Sequence, residues 1–438
     1  MTNRRKRSKS RAAVVTLGCP INQVDSERIM GGLIARGFEI VPEHEADIVV
    51  VNTCAFIGDA REESVETILD IAGLKHTGRL KSLVVAGCLA ERYRTELERN
   101  LEEADAVLGL ADRGRIADVC RDLAGLPRIA ADFVRVVSGP THTAYLKIAE
   151  GCSHRCTFCA IPAIRGPFGS IPADDIVRDA TDLVSLGARE LVLIAQDTTA
   201  YGSDTGDTDL AGLLERLGEI GHLDWIRLMY THPALFNDRL VTTIADIPAV
   251  LPYVDVPLQH IAGNVLRRMG RSTPPGDIRR LVERLRARVP GMALRTALIV
   301  GFPGETEKDF EELLAFVEET RFERLGAFVY SPEEGTPAAS FEDAVPEEIA
   351  HERYATLMEL QAGIAAAFND SLVGREFDVI IDEIDTKEGS VTGRTYMDAP
   401  EVDGTVTTAG VLDEDKPFVR VRITGAETYD LHGELLPE

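Results

Sequence analysis

Three thiols fall within eight residues of the chain, in Cys152-Ser-His-Arg-Cys156-Thr-Phe-Cys159. At a C-x3-C-x2-C spacing, three thiolates can grip one metal cluster. Iron–sulfur clusters commonly take four cysteines. With three, one iron lacks a protein ligand and is free to bind a small molecule. The alternative is a structural zinc site, which wants four ligands. His154 can serve as the fourth, but no second C-x2-C pair follows downstream.

Three further cysteines, Cys19, Cys54 and Cys88, are far apart in sequence, yet each lies just after an apolar run. The runs Ala12–Leu17, Asp47–Asn52 and Ser82–Ala86 read as buried parallel strands. In a parallel sheet those strand ends share one edge, where ligands usually bind. The thiols then converge into a second three-cysteine set. The alternative is three unrelated buried thiols, since free cysteine is commonly a small core residue. Cys120 stands apart: with Ile116, Val119 and Leu123 at helical spacing, it reads as core packing.

The elements that must position these thiols follow from periodicity. Over residues 12–137, helical patterns at Ser26–Arg36, Arg61–Leu74 and Arg92–Leu101 alternate with the strands. Asp59 and Glu62 have capping-box spacing at the start of the second. The expected product is a small doubly wound α/β domain. A second α/β series occupies residues 143–345. Its strands are Ala144–Ala149, Glu190–Ala195, Trp225–Met229, Tyr253–Val256, Leu294–Val300 and Arg324–Val329. Thr306 and Asp309 predict a capping box before the apolar face of Phe310, Leu313, Leu314 and Val317. Six βα units are too few for the usual eight-stranded barrel of ~250 residues, so a partial, open (β/α)6 barrel is expected. Residues 346–371 read as a linking helix. In residues 373–438, Glu376–Ile381, Ser390–Arg394, Gly404–Thr408 and Phe418–Ile423 predict a small antiparallel β-barrel. Residues 1–11 carry six basic side chains and read as a disordered tail, with weak attachment to RNA or acidic protein as the second reading.

Composition bounds the function. A length of 438 residues suggests two to four domains, and 45% apolar residues suffice for their cores. The charge is 47 basic minus 72 acidic residues, or −25, which makes a general nucleic-acid or anionic-membrane binder a poor reading. No apolar run spans a bilayer and no signal peptide is visible, so a cytoplasmic protein without a membrane partner is expected. Seven cysteines in such a chain point to metal or redox use rather than disulfides.

The C-x3-C-x2-C motif after a barrel's first strand resembles the radical S-adenosylmethionine (SAM) superfamily, and Phe158 matches the aromatic residue expected before the last cysteine. Across nearly all of residues 12–438 the chain resembles the methylthiotransferase family: an N-terminal three-cysteine domain, a radical-SAM barrel and a C-terminal TRAM domain. Leu17-Gly-Cys-Pro20, Asn22, Val24-Asp-Ser-Glu27, Val51-Asn-Thr-Cys-Ala-Phe-Ile57 and Met397-Asp-Ala-Pro-Glu401 resemble the branch of the family that modifies ribosomal protein S-twelve. RNA-modifying relatives usually have a different residue after the first cysteine.

The resemblance implies two 4Fe–4S clusters and SAM as cofactors. The open iron on Cys152, Cys156 and Cys159 would chelate the amino and carboxylate groups of SAM. One electron from an external donor would then cleave its C–S bond to a 5′-deoxyadenosyl radical, which takes hydrogen from an unactivated carbon. The cluster on Cys19, Cys54 and Cys88 would supply or carry the inserted sulfur, replenished by a sulfur source, and a second SAM would supply the methyl group. The target would be the β-carbon of one aspartate in S-twelve, free or within the small ribosomal subunit. Expected cofactor contacts are Phe158, Gln196 at the end of the second barrel strand, and Gly301 and Gly304 of Gly301-Phe-Pro-Gly-Glu305, whose backbone would lie along the adenosine. Read without the resemblance, that glycine segment is a plain strand-to-helix turn or a phosphate loop lacking the Walker lysine. Asp197 accompanies Gln196. Gln259 and His260 could meet ribose or substrate, and His260 is equally a capped or core histidine. No general acid or base is assigned.

Two other functions compete: methylthiolation of a modified adenosine in tRNA, and an iron–sulfur binding or assembly module without turnover. From Val373 to Glu438 there are six Lys/Arg and sixteen Asp/Glu, a difference of −10. A domain gripping tRNA needs a basic face. An acidic one suits a basic ribosomal protein.

Overall fold

The structure, a computed structural model, describes residues 10–131, 135–140, 142–410 and 416–437. The basic residues before Ser10 and the acidic run Asp413–Asp415 lie outside the described residues. The chain forms two compact units, one of residues up to Ser138 with Ala160–Gly166, the other of Gly139–Cys159 with Pro167–Glu438.

The first unit is built on a parallel sheet of β1 (Arg11–Thr16), β2 (Glu39–Ile40), β3 (Ile48–Thr53), β4 (Ser82–Gly87) and β5 (Ala106–Leu108), in the order β2-β1-β3-β4-β5. Successive side chains of a strand point to opposite faces, and the core divides accordingly. Ala13, Val49, Val51, Leu83 and Val85 pack against Ile68, Ile71 and Leu89 on one face. Ala12, Ile48, Val50, Val84 and Ala86 pack against Ile29, Leu33 and Ile116 on the other, where Cys120 is fully buried. This is the doubly wound arrangement the apolar runs predict. Strands β2 and β5, two and three residues long, are too short for periodicity to show.

Two helix starts differ from expectation. The first helix is Pro20–Ala35, beginning well before Ser26; its first turns bury the polar Asn22, Asp25, Ser26 and Glu27 together with Ile21 and Val24, which blurs the apolar periodicity. Proline at its first position is preset for helix. The second helix, Gly58–His76, starts after Ile57 with no side-chain cap, so Asp59 and Glu62 form no capping box.

In the second unit, β6 (Thr143–Lys147) is followed by a two-stranded ribbon of β7 (Ala149–Glu150) and β8 (Gly169–Ser170). Then come β9 (Glu190–Ile194), β10 (Trp225–Leu228), β11 (Val250–Asp255), β12 (Ala293–Val300) and β13 (Arg324–Val329). They give a parallel six-stranded sheet in the order β13-β12-β11-β10-β9-β6, whose edge strands do not pair: an open barrel. The Thr306–Asp309 capping box forms as predicted. A 24-residue helix, Glu347–Asp370, leads to a closed barrel of β14 (Glu376–Asp385), β15 (Ser390–Arg394), β16 (Val406–Ala409), β17 (Phe418–Ala426) and β18 (Leu431–Leu435). The fifth strand, absent from the sequence reading, closes it, and its pairing with β16 is parallel where all others in this barrel are antiparallel. No helix among the described residues is long and apolar enough to cross a membrane.

The closed barrel docks on the amino ends of the open barrel's strands, through charge. Glu190, the first residue of β9, accepts from Arg227 Nε at 2.7 Å and from Arg394 Nη2 at 2.8 Å, with all three side chains at most 2% exposed. Thr143 Oγ1 donates to the same carboxylate, and Asp382 takes the other edge of Arg394. Arg324 pairs with Asp398 at 2.8 Å, and Asp403 accepts from Arg295 and Tyr253.

Burial alone would raise the Glu190 carboxyl, but Arg394 and Arg227 pull it down to about 2. Its folded value lies below its usual 4.5, so its stabilisation is complete above that pH and is lost as the pH falls toward 2. Replacement by Gln should flatten the acid limb of a stability-against-pH curve in this window. Glu190→Ala, which strands two buried guanidinium groups, should cost about 3–5 kcal/mol in urea denaturation.

Candidate functional site

The register of the first sheet brings its cysteines together. Thr16 pairs with Asn52 and Asn52 with Ala86, while Thr53 pairs with Gly87. Cys54 and Cys88 therefore follow aligned residues, and Cys19 leaves the neighbouring strand at the same edge. Two glycines permit the approach. Gly18 has φ +87°, and a Cβ there would lie 2.6 Å from Cys54 Cβ. Gly87 has φ +95°, and a Cβ would meet Asn52 Oδ1 at 2.4 Å. The fully buried Asn22 ties the three strand ends: its amide donates to Leu17 O (2.8 Å) and Thr53 O (2.9 Å), while its Oδ1 faces Cys88 Sγ at 3.8 Å. Ser64 Oγ bridges the backbone N–H and carbonyl of Cys54.

Cys19 is exposed, whereas Cys54 and Cys88 are buried. Burial pushes the Cys54 thiol up, and the Cys88 thiol to about 11 against the opposing charge of Arg165. Charge on Cys19 would raise both, which is the mark of thiols gathered in one place. A bound metal centre would offset that repulsion, since a coordinating thiol is deprotonated outright. Cys19 sits immediately before the first residue of Pro20–Ala35.

Arg165, which periodicity did not single out, ends the short helix Ile161–Arg165. Its Nη2 donates to Asn22 Oδ1 at 2.6 Å and to Cys88 Sγ at 3.2 Å. The only sequence signal is a basic residue six positions beyond Cys159 in an apolar stretch.

In the second unit, the loop after β7 carries Cys152, Cys156 and Cys159. It is clamped at Thr157, whose N–H donates to Met269 O, whose hydroxyl donates to Arg268 O, and whose carbonyl accepts from Ala338 N. Phe158 meets the buried Phe302 edge-on, ring centres 6.4 Å apart, beside Val265 and Met269. Cys152 is buried, with its thiol pushed up, while Cys156 and Cys159 are half-buried. His154 Nε2 lies 2.5 Å from Asp197 Oδ2, and its ring stacks on His232 at 4.2 Å. Burial alone would raise Asp197, but hydrogen bonds from His154 and Thr199 hold its carboxyl below the usual range. His154 is thus committed to Asp197. Among the described residues no three His, Cys, Asp or Glu side chains close around a single-ion position.

The other residues singled out lie at the carboxyl ends of the barrel strands, where this class of barrel does chemistry. Gln196 follows β9, and its buried Oε1 has no hydrogen-bond partner among the described residues. Gln259, beyond β11, holds a left-handed backbone (φ +71°) and pairs across to Leu298. His260 is fully buried; its Nδ1 accepts from Ala262 N, its Nε2 lies 3.9 Å from Glu305, and burial pushes it down to about 4. It is a neutral core histidine. Gly301 has φ +74°, and a Cβ there would be 2.5 Å from Ala350 Cβ, so close packing of the long helix requires glycine. Gly304, at φ +82°, packs equally tightly on Arg268. Glu305 anchors the turn through Phe302 N (3.1 Å) and Arg353 (3.0 Å), and burial pushes it up to about 7.

Residues 11–109 match a family described as "Uncharacterized protein family UPF0004", residues 146–317 the radical SAM superfamily and residues 373–436 a TRAM domain. The fold is shared with the radical SAM methyltransferase TsrM of Kitasatospora setae, at TM-score 0.55 and 15% identity over 80% of this chain and 91% of that one. It is also shared with the cobalamin-dependent SAM radical enzyme OxsB, at TM-score 0.52 and 12% identity over 82% of this chain and 56% of that one. Fold and matched domains define the class, a radical SAM enzyme. The chain is 45% identical to the ribosomal protein uS12 methylthiotransferase RimO of Geotalea uraniireducens, over 98% of this chain and 99% of that one. It is 46% identical to the protein of that name from Geobacter sulfurreducens, with the same coverage. The chain belongs to the RimO methylthiotransferase family.

Gly18→Ala must enter a left-handed conformation and displace Cys54. It should cost at least about 1 kcal/mol and reduce the iron bound after anaerobic reconstitution. Cys120→Ala, on the opposite face of the sheet from Cys88, should leave the iron content unchanged.

Proposed function

We propose that this chain adds a methylthio group to the β-carbon of an aspartate in ribosomal protein S-twelve. The observation that carries the reading is the near full-length relationship to RimO proteins, joined to two separate cysteine triplets. The donor sets fit the two clusters. Each offers three soft sulfurs, which suit iron–sulfur clusters, and His154, already engaged by Asp197, is no fourth zinc ligand. Cys152, Cys156 and Cys159 would hold one 4Fe–4S cluster, and Cys19, Cys54 and Cys88 the other. The bound groups supply reductive cleavage of SAM and sulfur insertion at an unactivated carbon, with electrons from an external donor and sulfur from a separate source.

The chain's own part is positioning. The orphaned Gln196 Oε1 is an acceptor suited to the SAM ammonium group. Phe158 and Phe302 keep water from the inner side of the cysteine loop. The turn at Gly301 and Gly304, fixed by Glu305 and Arg353, offers backbone to the adenosine. Asn22 and Ser64 hold Cys88 and Cys54 in place.

The TRAM domain's charge favours a basic protein over tRNA. Of its sixteen acids against six basic residues, Asp382, Asp398 and Asp403 are spent on internal pairs, and the rest still outnumber the basic side chains. Free S-twelve and S-twelve within the small subunit call for the same chemistry.

Anaerobic reconstitution should give about eight irons per chain, four per cluster, with Cys19→Ala and Cys152→Ala each removing half. Intact-mass spectra of S-twelve should gain one methylthio group in place of one hydrogen. Four irons in the parent protein, unchanged by Cys19→Ala, would sink the second cluster. A modified tRNA with unmodified S-twelve would overturn the substrate.

A further inference from the structure

We infer that Arg165 sets the charge balance, and with it the reduction potential, of the cluster held by Cys19, Cys54 and Cys88; the inference rests on the assignment of that cluster above. The guanidinium is 1% exposed. Its Nη2 donates to Cys88 Sγ at 3.2 Å and to Asn22 Oδ1 at 2.6 Å. Asp25 Oδ2 lies 3.5 Å from its Nη1, and the same carboxylate oxygen takes a 2.7 Å contact from Arg113. Glu27 in the same helix accepts from another buried arginine, Arg135, at 2.6 Å.

A neutral thiol is only a weak acceptor, and a buried guanidinium needs compensation. Asp25 supplies part of it, and the thiolate of a cluster ligand, in direct contact with the guanidinium, would add to it. Reduction adds an electron to a body already negative through its thiolates. A buried cation in hydrogen-bond contact with one ligand sulfur stabilises the reduced form more than the oxidised one, and hydrogen bonds to sulfur are among the features that set cluster potentials. The planar fork of arginine lets one side chain serve Asn22 and Cys88 together. Arg165 is a positioning residue in this role: it acts through Cys88 and touches no reacting atom.

The test uses full-length protein carrying Cys152→Ala, Cys156→Ala and Cys159→Ala, so that only one cluster contributes. Iron content and a redox titration followed by electron paramagnetic resonance are measured in this parent, in Arg165→Gln and in Arg165→Lys. The expected result is retained iron, a midpoint shifted to lower potential in Arg165→Gln, and partial recovery in Arg165→Lys. Retained iron with an unshifted midpoint in Arg165→Gln overturns the inference. Should Arg165→Gln take up no iron, Arg165→Lys decides: iron uptake there supports the charge role. Loss in both, with the parent's circular dichroism, overturns it. A parent that binds no iron is a different failure, that of the cluster assignment itself.

Discussion

Parallel strand pairing delivers the carboxyl end of every strand to one edge of a sheet, and both thiol sets depend on that constraint. In the first unit the register aligns Thr53 with Gly87, so the residues that follow them, Cys54 and Cys88, emerge side by side although 34 positions separate them in sequence. Cys19 joins them because β1 is the next strand of the same sheet. In the open barrel the same rule gathers the loop after β7, Gln196 and Gln259 at one end.

Opposite ends of the barrel strands divide the work. The amino ends carry Glu190, Arg227 and Arg324, which the closed barrel meets with Arg394 and Asp398. Buried pairs of this sort contribute little net stability compared with apolar packing, yet are costly to break. Their use here places the closed barrel at the amino ends of the strands.

Close approach rather than flexibility explains the glycines at both sites. Gly18 and Gly87 admit Cys54 and Asn52, while Gly301 admits the Glu347–Asp370 helix. A glycine-rich turn that reads as a ligand loop can thus be required by packing alone.

The sequence by itself determined most of the strands, the two cysteine triplets and the partial barrel, because apolar periodicity and residue spacing are local properties. It also placed Cys120 in the core and predicted the Thr306–Asp309 capping box. Only the tertiary structure decided which polar residues are interior. The first helix starts early, and its inward turns mix Asn22, Asp25, Ser26 and Glu27 with Ile21 and Val24, which blurs the apolar stripe a sequence reading relies on. Arg165 reaches Asn22 across 143 residues and Arg394 reaches Glu190 across 204. His154 is claimed by Asp197, and the acidity of the last domain is partly internal, for the same reason. A buried charge finds its partner through the fold, and pairing over such separations leaves no periodic trace in the chain.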